Sequence, residues 1–62
     1  MADKQNDLLF EIIKQADVIT REYANAITAL QKGKIAEANN HITEANSAIA
    51  IRNYLIDKLK EL

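Results

Sequence analysis

The residues with the greatest chemical potential in this chain are a single histidine and the acidic residues near it. His41 has Glu37 four residues before it and Glu44 three residues after it. On a helix these positions share one face, so either carboxylate would orient the imidazole of a general base or a phosphoacceptor. We favour the plainer interpretation, which is a histidine at the edge of a helical core.

Arg52 continues a line of small apolar residues that includes Ala38 and Ala45, at intervals of seven. Two interpretations stay open: an ion pair across an oligomer interface, or a stem buried along the core with the guanidinium in water. A binding site for an anion ranks below both. Tyr23 and Tyr54 are interpreted as packing aromatics.

Other features that would carry catalysis are missing from the sequence. There is no glycine-rich phosphate loop, no Ser/His/Asp set and no pair of metal-binding carboxylates. Cysteine is absent, which excludes disulfides and thiolate metal sites, and one histidine does not make a histidine-rich metal site. We therefore expect no enzymatic activity, no catalytic residue, no metal and no cofactor.

The charge balance and hydropathy favour a cytoplasmic protein. Eight Lys and Arg face nine Asp and Glu, so no basic surface for nucleic acid is expected. No stretch approaches the ~18 apolar residues of a membrane span, and residues 1–7 are too polar for a signal peptide. Neither a nucleic acid nor a membrane is expected as a partner.

The elements that position these residues are two helices. Proline is absent, Gly33 is the one glycine, and ten alanines raise helix propensity on both sides of it. The pattern predicts one domain over residues 1–62, with a helix over about 4–32, a turn at 33–34 and a helix over about 35–61. Asp3 is the expected N-cap, with Asn6 and Asp7 as alternatives.

Both helices carry an apolar stripe of helical period. In the first helix it comprises Leu9, Ala16, Tyr23 and Leu30, accompanied by Ile12, Ile13, Ile19, Ala26 and Ile27. In the second it comprises Ile35, Ile42, Ile49 and Ile56, accompanied by Ala38, Ala45 and Leu59. Small residues lie toward the turn, so the helices should approach closely there. The far end should be filled by Leu9, Phe10, Ile13, Leu55 and Leu59.

A chain this short buries only ~60% of the surface that its unfolded form exposes, and a hairpin covers one side of each stripe. The expected fold is therefore an all-α antiparallel two-helix hairpin that assembles into an oligomeric helical bundle, with a homodimer favoured over a homotrimer. The predicted interface is Leu9, Ile12, Ile13, Ile19, Tyr23, Ile27, Leu30, Ile35, Ile42, Ile49, Arg52, Ile56 and Leu59.

Four segments carry a resemblance to a known family. They are Phe10-Glu11-Ile12-Ile13, Ala26-Ile27-x-Ala29, the run from Lys32 to Ala38 around the turn, and Ile42-Thr43-Glu44-Ala45. From Leu8 to about Leu59 the chain resembles the first two helices of the lactose/cellobiose-type IIA component of the bacterial phosphoenolpyruvate-dependent sugar phosphotransferase system. The four segments follow the family's order and spacing without gaps.

The resemblance stops before the family's chemistry. The family's phosphorylated histidine and metal-binding aspartate lie on a third helix, and His41 aligns with an apolar position. Arg52 and Asn53 stand where the family has Ala-His. The resemblance thus implies a truncated or degenerate, non-catalytic relative that keeps the oligomeric scaffold and has a full-length IIA protein as a second partner. The alternative is a stand-alone homodimeric four-helix-bundle adaptor or regulator of phage or plasmid origin.

Overall fold

The computed structural model describes the chain from Ala2 to Leu62, and this part of the chain is a hairpin of two helices. α1 comprises Ala2–Gln31 and α2 comprises Ile35–Lys60. Their Cα atoms extend 48 Å along the long axis and only 13 and 10 Å across it. The predicted all-α hairpin is therefore confirmed. α1 starts earlier than expected, so Asp3 lies in its first turn and is not the N-cap.

The turn between the helices is built around Gly33. Its φ is +74°, in the left-handed region that favours glycine. The backbone N–H of Gly33 donates to the carbonyl of Leu30 and that of Lys34 donates to the carbonyl of Ala29, both at 2.9 Å. These two bonds form a Schellman motif, which satisfies the last carbonyls of α1 and reverses the chain.

The helices contact each other along a row of residues spaced alternately by three and four, which we call the seam. Such spacing is the heptad pattern of a coiled coil. On α1 the seam comprises Leu8, Ile12, Gln15, Ile19, Glu22, Ala26 and Ala29. On α2 it comprises Ala38, His41, Ala45, Ala48, Arg52, Leu55 and Leu59. All of these residues are buried or half-buried.

Alanines bring the helices together near the turn. Ala26, Ala29 and Ala38 form a buried cluster, and Ile42 packs against it. The two helices thus present alanines to each other at this end, and a methyl side chain lets two helices come nearer than a leucine does.

The far end of the hairpin differs from the expectation. Leu55 and Leu59 are half-buried in the seam, but Leu9, Phe10 and Ile13 are exposed. The expectation that these three would fill the space between the helices is wrong. The two-helix contact uses a narrow row of residues, and Leu9, Phe10 and Ile13 lie outside that row on α1.

Candidate association surface

The residue that follows each seam residue lies on one flank of the hairpin. A step of one residue turns about 100° around a helix axis, and in two antiparallel helices both steps turn toward the same side of the pair. The α1 row on this flank comprises Leu9, Ile13, Ala16, Thr20, Tyr23, Ile27 and Leu30. The α2 row comprises Asn39, Ile42, Asn46, Ile49, Asn53, Ile56 and Lys60, and Ile35, seven residues before Ile42, extends it toward the turn. We call the two rows together the apolar face.

Six of the ten exposed large apolar side chains in the described part of the chain lie on this face. Ile13 and Ile35 are each 65% exposed, and Ile27 is 57% exposed. Leu30, Tyr23 and Leu9 are exposed as well, while Ile42, Ile49 and Ile56 are half-buried at the edge of the seam. By contrast, the core residues buried within the hairpin are all alanines. The hairpin therefore buries only alanines completely, and it leaves several of its larger apolar side chains exposed on this face.

The opposite flank of the hairpin is mainly polar. It carries exposed ion pairs along each helix, such as Lys14 with Glu11 at 3.2 Å and Lys34 with Glu37 at 4.0 Å. Its apolar exceptions, Ile51 and Tyr54, lie toward the C-terminal end of α2. The Nζ atom of Lys58 covers the ring of Tyr54 at 5.4 Å from the centroid, a cation–π contact. The hairpin as a whole is thus amphipathic.

The seam contains one polar contact that crosses between the helices. Nδ1 of His41 lies 3.0 Å from Oε1 of Glu22, and the side chains are 35% and 21% exposed. Asn25 donates to the same carboxylate oxygen at 3.4 Å. The partner of His41 is therefore Glu22 on α1, whereas sequence reasoning named Glu37 and Glu44 on its own helix. The signal for Glu22 was its spacing, seven residues from Gln15 and from Ala29 in the seam.

His41 lies half-buried inside the seam, beside the carboxylate of Glu22. This is the position that the plainer interpretation predicted, and the absence of a chemical role stays a prediction. No group of three or more His, Cys, Asp and Glu residues that could hold a metal ion occurs in the described part of the chain.

Arg52 is half-buried in the seam on the far half of the hairpin. Its terminal nitrogen donates to Oδ1 of Asn53 at 3.3 Å, while its buried Nε atom makes no hydrogen bond with any described residue. The stem therefore packs between the helices and the end of the guanidinium reaches their rim. An ion pair with a second molecule stays a prediction.

The thirteen residues predicted to form an oligomer interface fall into two groups. Leu9, Ile13, Tyr23, Ile27, Leu30, Ile35, Ile42, Ile49 and Ile56 lie on the apolar face. Ile12, Ile19, Arg52 and Leu59 lie in the seam, where they contact the other helix of the same chain. The first group is accessible to a partner, and its role as an interface remains a prediction.

Comparisons with known proteins leave the family resemblance as a prediction. Within the described residues neither helix has an apolar stretch long enough to cross a membrane. No family model matches the chain, and neither a curated protein nor a solved structure matches it significantly.

Proposed function

We propose that this chain is a non-catalytic interaction module that works by association through its apolar face. The observation that carries the proposal is the distribution of side-chain size. The residues that the hairpin buries fully are alanines and its seam leucines and isoleucines are only half-buried, whereas exposed isoleucine, leucine and tyrosine side chains cover one outer flank. A hairpin built only to fold alone would place its largest apolar side chains between its own helices.

The exposed apolar surface represents a substantial free energy. Complete burial of one such side chain contributes about 1.5–3 kcal/mol, so covering the exposed part of each contributes roughly 1 kcal/mol. Six of these residues, Leu9, Ile13, Tyr23, Ile27, Leu30 and Ile35, are between 40% and 65% exposed. A partner that covers them stabilises the hairpin considerably, and a small chain with an alanine core has little stability without it.

The first expected partner is a second copy of the chain, and a homodimer would make a four-helix bundle. The resemblance to the IIA component of the sugar phosphotransferase system supports a second candidate partner, a full-length protein of that family. In that case the chain would act as a docking or competing subunit without transferring phosphate.

The proposal is tested by placing charge on each flank of the hairpin. The double variant Ile13→Lys/Ile27→Lys puts two lysines on the apolar face, and Asn40→Lys/Ser47→Lys puts two on the polar flank as the matched control. We expect the unmodified chain and the control to sediment as an assembly, and the first variant to sediment as a 7.0-kDa monomer. The physical reason is that assembly would bury each lysine charge in the apolar interface, and this cost opposes association.

Two results would contradict the proposal or narrow it. An unmodified chain that is helical and monomeric at all accessible concentrations, and forms no complex with a IIA protein, contradicts it. Native mass spectrometry of an equimolar mixture with a full-length IIA protein separates the two partners, because mixed oligomers appear only if the scaffold is shared.

A further inference from the structure

We propose that the apolar face is covered by a second copy of the chain, related by a two-fold axis that passes Thr20 and Asn46 and sets α1 antiparallel to α1 of the partner. This inference rests on the proposed function, since it names the occupant of the same face. It follows from the order of residues in the two rows, from their level along the hairpin and from the size of the face.

The α1 row is self-complementary when it runs against itself in the opposite direction. Its order is Leu-Ile-Ala-Thr-Tyr-Ile-Leu, from Leu9 to Leu30. In an antiparallel pair centred on Thr20, leucine meets leucine and isoleucine meets isoleucine at the two ends. The remaining pair sets Ala16 against Tyr23, a small side chain beside a large one, which is how helix interfaces interdigitate. An isologous dimer requires this kind of self-complementary surface.

The α2 row has the same property in a stricter form. From Ile35 to Ile56 its order is Ile-Asn-Ile-Asn-Ile-Asn-Ile, symmetric about Asn46, and Lys60 at the C-terminal end of α2 has no counterpart. Antiparallel to itself, this stretch pairs isoleucine with isoleucine and asparagine with asparagine. Each amide then has an amide opposite, which both donates and accepts.

The two centres of symmetry lie at the same level of the hairpin. Thr20 lies thirteen residues before Gly33, and Asn46 lies thirteen residues after it. Since both helices rise about 1.5 Å per residue from the turn, the two residues are at nearly equal distances from it. One two-fold axis perpendicular to the helices therefore satisfies both rows at once.

Two hairpins related by a two-fold axis can stack their apolar faces in two arrangements, and the asparagines distinguish between them. Either like rows face each other, or the α1 row of one copy faces the α2 row of the other. In the second arrangement Asn39 lies against Ile27 and Asn53 lies against Ile13. Each amide would be buried without a partner, at a cost of about 1–3 kcal/mol each. Like rows therefore pair.

The size of the face is sufficient for a stable dimer. The α1 row spans about 32 Å at 1.5 Å per residue. With helices about 10 Å apart, a face two helices wide covers roughly 600 Å² on each copy. The pair buries roughly 1,200 Å² in total, above the about 1,000 Å² expected of a specific interface.

The test uses introduced cysteines, because the chain has none of its own. Thr20→Cys and Asn46→Cys are made separately, and each cysteine would face its own copy across the axis at a distance that a disulfide spans. Under mild oxidation we expect each variant to shift from the 7.0-kDa monomer to a covalent dimer. Ser47→Cys, next to Asn46 but on the polar flank, is the matched control and should stay monomeric in denaturing conditions.

Each alternative outcome overturns the inference in a recognisable way. A disulfide that forms only when Thr20→Cys is mixed with Asn46→Cys shows that unlike rows pair, and a sedimenting trimer shows a different symmetry. In both cases the proposed function stands. If the unmodified chain does not assemble at all, the proposed function itself has failed, which sedimentation reveals without any cysteine variant.

Discussion

At the scale of single residues, the contact between Glu22 and His41 is the feature that links α1 to α2 through polar atoms. Both side chains lie in a seam otherwise made of apolar residues, Gln15 and Arg52. A polar contact inside a coiled-coil seam fixes the register of two helices, because a shifted register leaves the polar groups without partners. We interpret the contact between Glu22 and His41 as the one that fixes the register of α2 against α1.

The contribution of this contact is measured by removing the carboxylate. Glu22→Ala is expected to lower the free energy of unfolding by about 1 kcal/mol, since it removes a partly buried hydrogen bond. The matched control is Glu11→Ala, whose exposed ion pair with Lys14 contributes less than about 0.5 kcal/mol. Urea unfolding of both variants at one protein concentration makes the comparison. Equal losses would refute a specific role for Glu22.

At the scale of elements, the start of α2 is less well capped than the end of α1. Lys34 is the N-cap residue, and its carbonyl accepts the first helical hydrogen bond from Ala38 at 3.0 Å. Its side chain makes no cap hydrogen bond, and its positive charge faces the positive end of the helix dipole. The first backbone N–H groups of α2 therefore depend on water.

A capping residue at this position should stabilise the hairpin. Lys34→Asp supplies a side-chain acceptor and a favourable charge, for an expected gain of about 1 kcal/mol in the free energy of unfolding. Glu37 lies three residues later and completes the pattern of a capping box. Lys34→Gln removes the charge without providing a good cap, and it should gain less. If the two variants are equally stable, capping does not limit α2.

The sequence predicted the elements better than it predicted the surfaces. Gly33 correctly predicted the turn, and three of the alanines near it form the buried cluster between the helices. The stripe on α1, however, was treated as one broad apolar face, whereas the structure divides it between the seam and the apolar face. The division depends on the rotation of each helix about its axis. Glu22 and Gln15 reveal that rotation only once the second helix is in place.

At the scale of the whole molecule, folding and assembly are expected to be coupled. A hairpin with an alanine core and an exposed apolar face draws much of its stability from the partner that covers the face. For a dimer, each tenfold dilution lowers the free energy of unfolding by about 1.4 kcal/mol per mole of dimer.

The coupling is checked by thermal unfolding over a range of protein concentrations, followed by circular dichroism. The midpoint of the unmodified chain should rise with concentration, because association favours the folded state. The Ile13→Lys/Ile27→Lys variant serves as the reference, and its lower midpoint should not depend on concentration. A concentration-independent midpoint for the unmodified chain would mean that the hairpin folds alone.

The alanine cluster beside the turn also sets the order in which the hairpin forms. Ala29 and Ala38 are separated by a short loop around Gly33, whereas nearly the full length of the chain lies between Leu8 and Leu59. Closing a short loop costs less entropy than closing a long one, so contacts next to Gly33 form first. Contacts between the two helices therefore form first beside the turn and then progressively farther from it. Their open ends are the last part to associate and the first to separate.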